Sequence, residues 1–339
     1  MKNTLSKRIY NIAGLPPGPI AAALIFFSMS LYLHLPYLRN FSRLDYLFII
    51  IPPIGALGCY LLSTHYLKTF AASILAGTIY GFCPLTLAFL AYHRFAGIPT
   101  AIAPWLFIPA AFIRPPKNYY VLANAAKTIF AIVAASVIVL FFYLPSLSSI
   151  GPFFPMPMIK AQLPNLAGIP LPLTGNALDF IYGFYHFPLA AIIFGMLIYV
   201  SRGSVTLIIV AATALSLSFA APIMQTPPIA WGLLTVLSCS ILAGMGAENM
   251  IRAKKKFRLW ALICFVITVS LSAIAFANSH SISGGLFAFA ALLTAATIPI
   301  SANPANFRFA IWITFYTACC ADILWGAKHT LEQIFGYGF

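Results

Sequence analysis

Few side chains in this sequence can do chemistry, and most of them stand inside long apolar stretches. The densest group is LDFIYGFYHFPLA, where Asp179, Tyr182 and His186 recur at i, i+3 and i+7. On a helix that spacing places them on one face, with His186 about 10 Å along the axis from Asp179. Gly183 and Pro188 invite a kink or local unwinding. Unwound backbone at membrane depth is where transporters hold ions and polar solutes, so the group reads as a substrate site or a proton path. The plainer alternative is a histidine hydrogen-bonded to a neighbouring helix, with Asp179 an ordinary charge at a helix N-terminus.

The other candidates are single groups. Glu248, in GMGAENM, follows Gly244 and Gly246, which allow close helix approach. It pairs with the basic run after it, or it gates or binds a cation. Asp322, in CCADILW, has Lys328 and His329 a turn or two away, and a local ion pair is its simplest role. Lys127, in ANAAKTIFA, snorkels to the interface, or holds an anion or another span's carboxylate. Among the histidines, His34, His93 and His186 are the metal or haem candidates, because imidazole suits transition metals. No pair of them has tight helical spacing. The six cysteines all lie in apolar runs without a C-x-x-C pair, which reads as packing rather than redox chemistry. No Walker A loop, H-E-x-x-H pattern, G-x-S-x-G elbow or dinucleotide glycine fingerprint occurs.

What must position these groups follows from composition. The chain is 62% hydrophobic and 7% charged, against about 25% charged in a soluble domain. A water-soluble fold of 339 residues has too much surface to hide that apolar fraction. The solvent is therefore lipid, and the fold class is an all-α polytopic transmembrane bundle. The net charge of +14 belongs to topology-setting loops rather than to nucleic acid, since no stretch mixes basic and aromatic residues as the nucleic-acid modules do. The apolar run after the N-terminal MKNTLSKR reads as an uncleaved first helix.

A spanning helix takes about 20 apolar residues, and segments of that kind lie at 18–38, 45–65, 69–92, 98–114, 119–143, 178–200, 203–221, 227–250, 259–277, 283–302 and 306–325. The count is about ten or eleven, because 98–114 is short and holds Pro99, Pro104 and Pro109, as a kinked span or a re-entrant segment. With a cytoplasmic N-terminus and eleven crossings, the inner side collects Lys68, Arg114, Arg202 and the run RAKKKFR at 252–258. Arg39, Arg43, Arg94, Lys160 and Lys328 fall outside. The layout is that of a multi-pass protein of the bacterial cytoplasmic membrane.

The one long loop, 144–177, is rich in proline and falls on the outer side. It is a functional loop or an apolar cap at the membrane surface. NIAGLPPGP at 11–19 echoes NLAGIPLPL at 165–173, each ahead of five segments. Blocks of five enter the membrane from opposite sides, which would make a 5+5 inverted repeat plus one extra helix. The stretch YGFCPLTLAFLAYHRFAGIPTAIAPWLF resembles multispan polyprenyl-linked glycosyltransferases, and LWALICFVITVSLSAIAFA resembles a helix of the tellurite-resistance/dicarboxylate transporters. Each covers under a tenth of the chain, and no family follows from either.

Three functions fit. The first is a transporter or channel for a small solute, the basic excess favouring an anion. The second is a structural or redox subunit of a larger membrane complex, which the 30 Phe and 16 Tyr would suit. The third is a membrane-embedded enzyme that uses outer Asp and His side chains on a lipid-linked substrate.

Overall fold

The computed structural model describes residues 17–92, 96–112, 125–126, 128–137, 202–222, 228–251, 257–277, 284–285, 287–292, 295 and 305–336. The elements are α1 (Pro17–His34), α2 (Leu47–Ser63), α3 (Phe70–Gly81), α4 (Pro84–Tyr92), α5 (Gly97–Phe112), α6 (Thr128–Val137), α7 (Arg202–Phe219), α8 (Gly232–Ile251), α9 (Phe257–Ala277) and α10 (Ala305–Gly336). Two 3-10 turns, Leu35–Asn40 and Pro228–Trp231, extend α1 and precede α8. No strand occurs among the described residues, so the all-α expectation holds there. Three helices among them are long and apolar enough to cross a bilayer: Gly18–Arg39, Phe70–Ala91 and Pro228–Glu248. Shorter apolar helices accompany them. The 17 residues of α2 rise about 25 Å, a little less than the hydrocarbon layer of about 30 Å. The expected segment 178–200, the loop 144–177, and much of 119–143 and 283–302 lie outside the described residues.

Helix α2 is the hub, packed against α1, α3 and α5. Helix α8 lies against α3 and α7, and α10 against α3, α4 and α1. Lipid is as apolar as a leucine side chain, so helices in it associate through close packing, which small residues permit. The sequence GTIYG supplies Gly77 and Gly81 one turn apart on α3. A Cβ at Gly77 would stand 2.6 Å from the Ala56 carbonyl oxygen, and one at Gly81 would stand 2.6 Å from that of Pro52. Gly244 of α8 meets α3 in the same way, 3.0 Å from the Ala72 carbonyl oxygen to a built Cβ. Thus α3 is enclosed while α1 sits at the rim, with 89% and 28% of their spans buried. Leu24, Leu31 and Tyr32 on α1 face outward, as a lipid-facing helix requires.

Proline inside a helix leaves the carbonyl four residues earlier without its amide, a costly loss in lipid. Three such carbonyls are taken by side chains. Pro53 frees Ile49, whose oxygen accepts the Ser30 hydroxyl of α1 at 2.8 Å. Pro104 frees Thr100, whose oxygen accepts the Tyr80 hydroxyl of α3 at 2.6 Å. Pro84 frees Tyr80, whose oxygen accepts the Thr86 hydroxyl and the Cys83 thiol, each at 3.2 Å.

The structure refines several segments. The third, expected unbroken over 69–92, is divided at Phe82–Cys83, because Pro84 can start a helix but cannot continue one. The proline-rich 98–114 segment is one helix, α5. The last, expected to end at 325, continues to Gly336. A hydropathy window stops at KHTLEQ, but that stretch is amphipathic: Ala327 and Leu331 are buried while Lys328 bonds the exposed Glu332 at 3.7 Å.

Candidate functional site

Of the residues singled out above, Asp179, Tyr182, His186, His93 and Lys127 lie outside the described residues. The remaining three, His34, Glu248 and Asp322, are all buried, and they do not form a group that could hold a metal ion.

Glu248, near the end of α8, reaches the loop between α2 and α3. Both carboxylate oxygens accept the Lys68 amide, at 3.2 and 3.0 Å. That places a negative charge just ahead of the α3 N-terminus, where the helix dipole favours it. The hydrogen bond ties α8 to a loop 180 residues away in the chain; residues 252–256 of the basic run that the sequence offers as its partner lie outside the described residues. Nearby, Tyr66 is partly buried in the same loop, and burial pushes its phenol above the usual range. Asp322 is buried on α10. Lys328, expected to pair with it, bonds Glu332, and His329 stacks on Trp325 with ring centres 5.7 Å apart.

His34 ends α1 at the opposite end of the bundle, with no exposed surface. Its Nδ1 lies 2.7 Å from the Ser30 carbonyl oxygen. A carbonyl only accepts, so Nδ1 carries the proton and donates. The Ser30 hydroxyl has its own proton on Ile49, and its lone pairs face Nδ1 at 3.5 Å. Both neighbours therefore fix the same tautomer, which leaves Nε2 a bare lone pair. Nε2 is buried and has no hydrogen-bond partner. Around it stand rings: Phe41 and Phe48 lie 6.2 and 6.1 Å from the imidazole. Phe335, on the last turn of α10, joins Tyr37, Phe41 and Phe48 at 5.2, 5.1 and 5.0 Å. At the base of the following turn, buried Asp45 accepts the Ser42 amide at 2.9 Å.

The break between α3 and α4 approaches this chamber. Gly81 touches Pro52 of α2, one turn from Phe48, and α10 packs along α4 on its way to Phe335. The bundle thus has an unsatisfied imidazole at one end and the Glu248 contact at the other, with the broken helix between them.

No group of three or more His, Cys, Asp or Glu side chains that could hold a metal ion occurs among the described residues. Cys59, Cys83, Cys239, Cys319 and Cys320 are free thiols, in keeping with their reading as packing residues. Sequence reasoning missed Ser30, Tyr80, Thr86 and Phe335. Three of them had a signal: each proline inside a span marks a carbonyl four residues back that some hydroxyl must reach. Phe335 had none, because the span expected for its helix ended at 325, short of it. Set beside known proteins, the chain matches no family model, no curated protein and no solved structure.

Proposed function

We propose that the protein is a multi-pass transporter or channel for a small solute in the cytoplasmic membrane. The observation that carries this reading is the break at Phe82–Cys83 within the candidate span Phe70–Ala91. An interrupted helix at membrane depth needs its backbone served by protein, and transporters use such interruptions as binding sites and hinges. Here Thr86 and Cys83 serve the freed Tyr80 carbonyl. Asp179, Tyr182 and His186 are the proposed substrate or proton path, from their spacing in the sequence.

The test is solute uptake into vesicles carrying the purified protein, with Asp179→Asn and His186→Ala beside the unaltered chain. Uptake that both substitutions abolish, in protein that stays folded, supports the reading. Normal uptake in both removes the proposed path. A native mass taken after gentle extraction separates the alternatives. One chain or a small homo-oligomer fits a self-sufficient transporter. Added subunits, or the mass of a haem, would replace that reading with a component of a larger complex. Turnover of a lipid-linked substrate by the purified protein would replace it with an enzyme.

A further inference from the structure

We propose that the His34 chamber is a binding site for a small organic ammonium ion, with Nε2 accepting an N–H of the ligand and Phe335 filling the place until the ligand displaces it. This deepens the transport reading by naming a substrate class and rests on it only for the word substrate; the binding step stands or falls separately.

The argument begins with the bare nitrogen. Buried polar atoms without partners are rare in folded proteins, and each calls for an explanation. His34 Nε2 is such an atom, and its tautomer is set by two neighbours rather than free to change. It can only accept, so the missing partner is a donor. The walls narrow the class further. Phe41 and Phe48 stand beside the imidazole, and aromatic rings attract cations to their electron-rich faces. A lone pair and ring faces both repel an anion, contrary to what the basic composition of the chain suggests. A quaternary ammonium satisfies the rings but brings no N–H to Nε2, so the ligand keeps at least one.

Phe335 is the movable wall. It sits one residue before the end of α10, is only partly buried, and touches three of the other rings while His34 is fully enclosed. A phenylalanine side chain makes no hydrogen bond, so its rotation away from Phe41 and Phe48 costs ring contacts alone.

The experiment uses the full chain in detergent and three probes of similar shape: propylammonium, 1-propanol and propionate, at matched ionic strength. Binding is read from the thermal unfolding midpoint and from the 15N resonance of the unprotonated histidine nitrogen. The expected result is that propylammonium alone raises the midpoint and moves that resonance, that His34→Phe abolishes both, and that Phe335→Ala tightens binding roughly tenfold by removing the competing ring. An equal response to propionate or 1-propanol overturns the ligand class. No response to any probe, an unmoved resonance, or affinity unchanged in Phe335→Ala overturns the site. The last two readings use protein with His34 intact, so they decide the matter even if His34→Phe does not fold. Ammonium binding without uptake would leave the site standing and remove the transport reading. Uptake of a solute that does not depend on His34 would leave the transport reading standing and remove only the claim that the bound ammonium is its substrate.

Discussion

The two ends of the bundle treat buried polar groups differently. At one, the Glu248 carboxylate spends both oxygens on the Lys68 amide beside the start of α3. A charge-assisted bond and a helix dipole offset its desolvation, and α8 is locked to the α2–α3 loop. At the other, His34 has its Nδ1 served and its Nε2 left bare among rings. The Thr69 hydroxyl at the first end is likewise buried without a partner, but its O–H rotates about the C–O bond and is not held in one direction. The imidazole has no such outlet. The first end is built for stability alone, while the second keeps a cost that packing does not require.

The sharpest way to break this contrast is to disturb what holds both ends in place. Gly81→Leu would drive a side chain into Ala56 and the Pro52 backbone, which cannot yield. It should lower stability by about 3 kcal/mol in denaturant unfolding and loosen both ends together. Gly285→Ala, where a Cβ meets nothing within 4 Å, is the control and should be silent.

Next in size is Ser30→Ala, which strips the Ile49 carbonyl of its donor and should cost about 2 kcal/mol. Pro53→Ala restores an amide to that carbonyl. In its background the loss should therefore shrink, with a coupling of about 1 kcal/mol in a double-mutant cycle. Additive effects would show that Ser30 does not answer for Pro53. Tyr80→Phe makes the same test at Thr100, with a loss of about 1–2 kcal/mol in unfolding.

Glu248→Gln keeps an acceptor for Lys68 but removes the charge at the α3 N-terminus. A loss of about 1 kcal/mol, shrinking as salt is raised, would confirm that this end works through charge. The smallest effect belongs to Lys328→Ala. Its pair with Glu332 is exposed on both sides, and its removal should change the unfolding free energy by no more than about 0.5 kcal/mol.

How much of this was legible in advance differs from residue to residue. The helical class and the apolar segments follow from composition and run length, and the described helices fall close to the expected places: α2 within 45–65, α7 within two residues of 203–221, α9 over 259–277. The break at 82–83 was written in Gly81 and Pro84 but was passed over, since mean hydropathy does not register a missing amide. The last helix was cut short at 325 for the related reason that an amphipathic turn averages to a polar one. Of the site, His34 was named for its chemistry, with a metal in view. Its rings come from the stretch after α1, from α2 and from α10, and the α10 ring lies far along the chain from the others, so no local pattern announced the cluster.

The sequence by itself determined the solvent, because 7% charge over 339 residues leaves no other place for the apolar surface. It also determined the secondary structure, since backbone groups in lipid must be satisfied within the helix. Only the tertiary structure decided which hydroxyl answers which proline, that Glu248 reaches Lys68 across 180 residues, and that His34 Nε2 is left without a donor. Those pairings depend on which helix faces which, and small-residue contacts such as Gly81 on Pro52 set that choice. Such contacts are short-ranged and formed between distant parts of the chain, so no local window contains them.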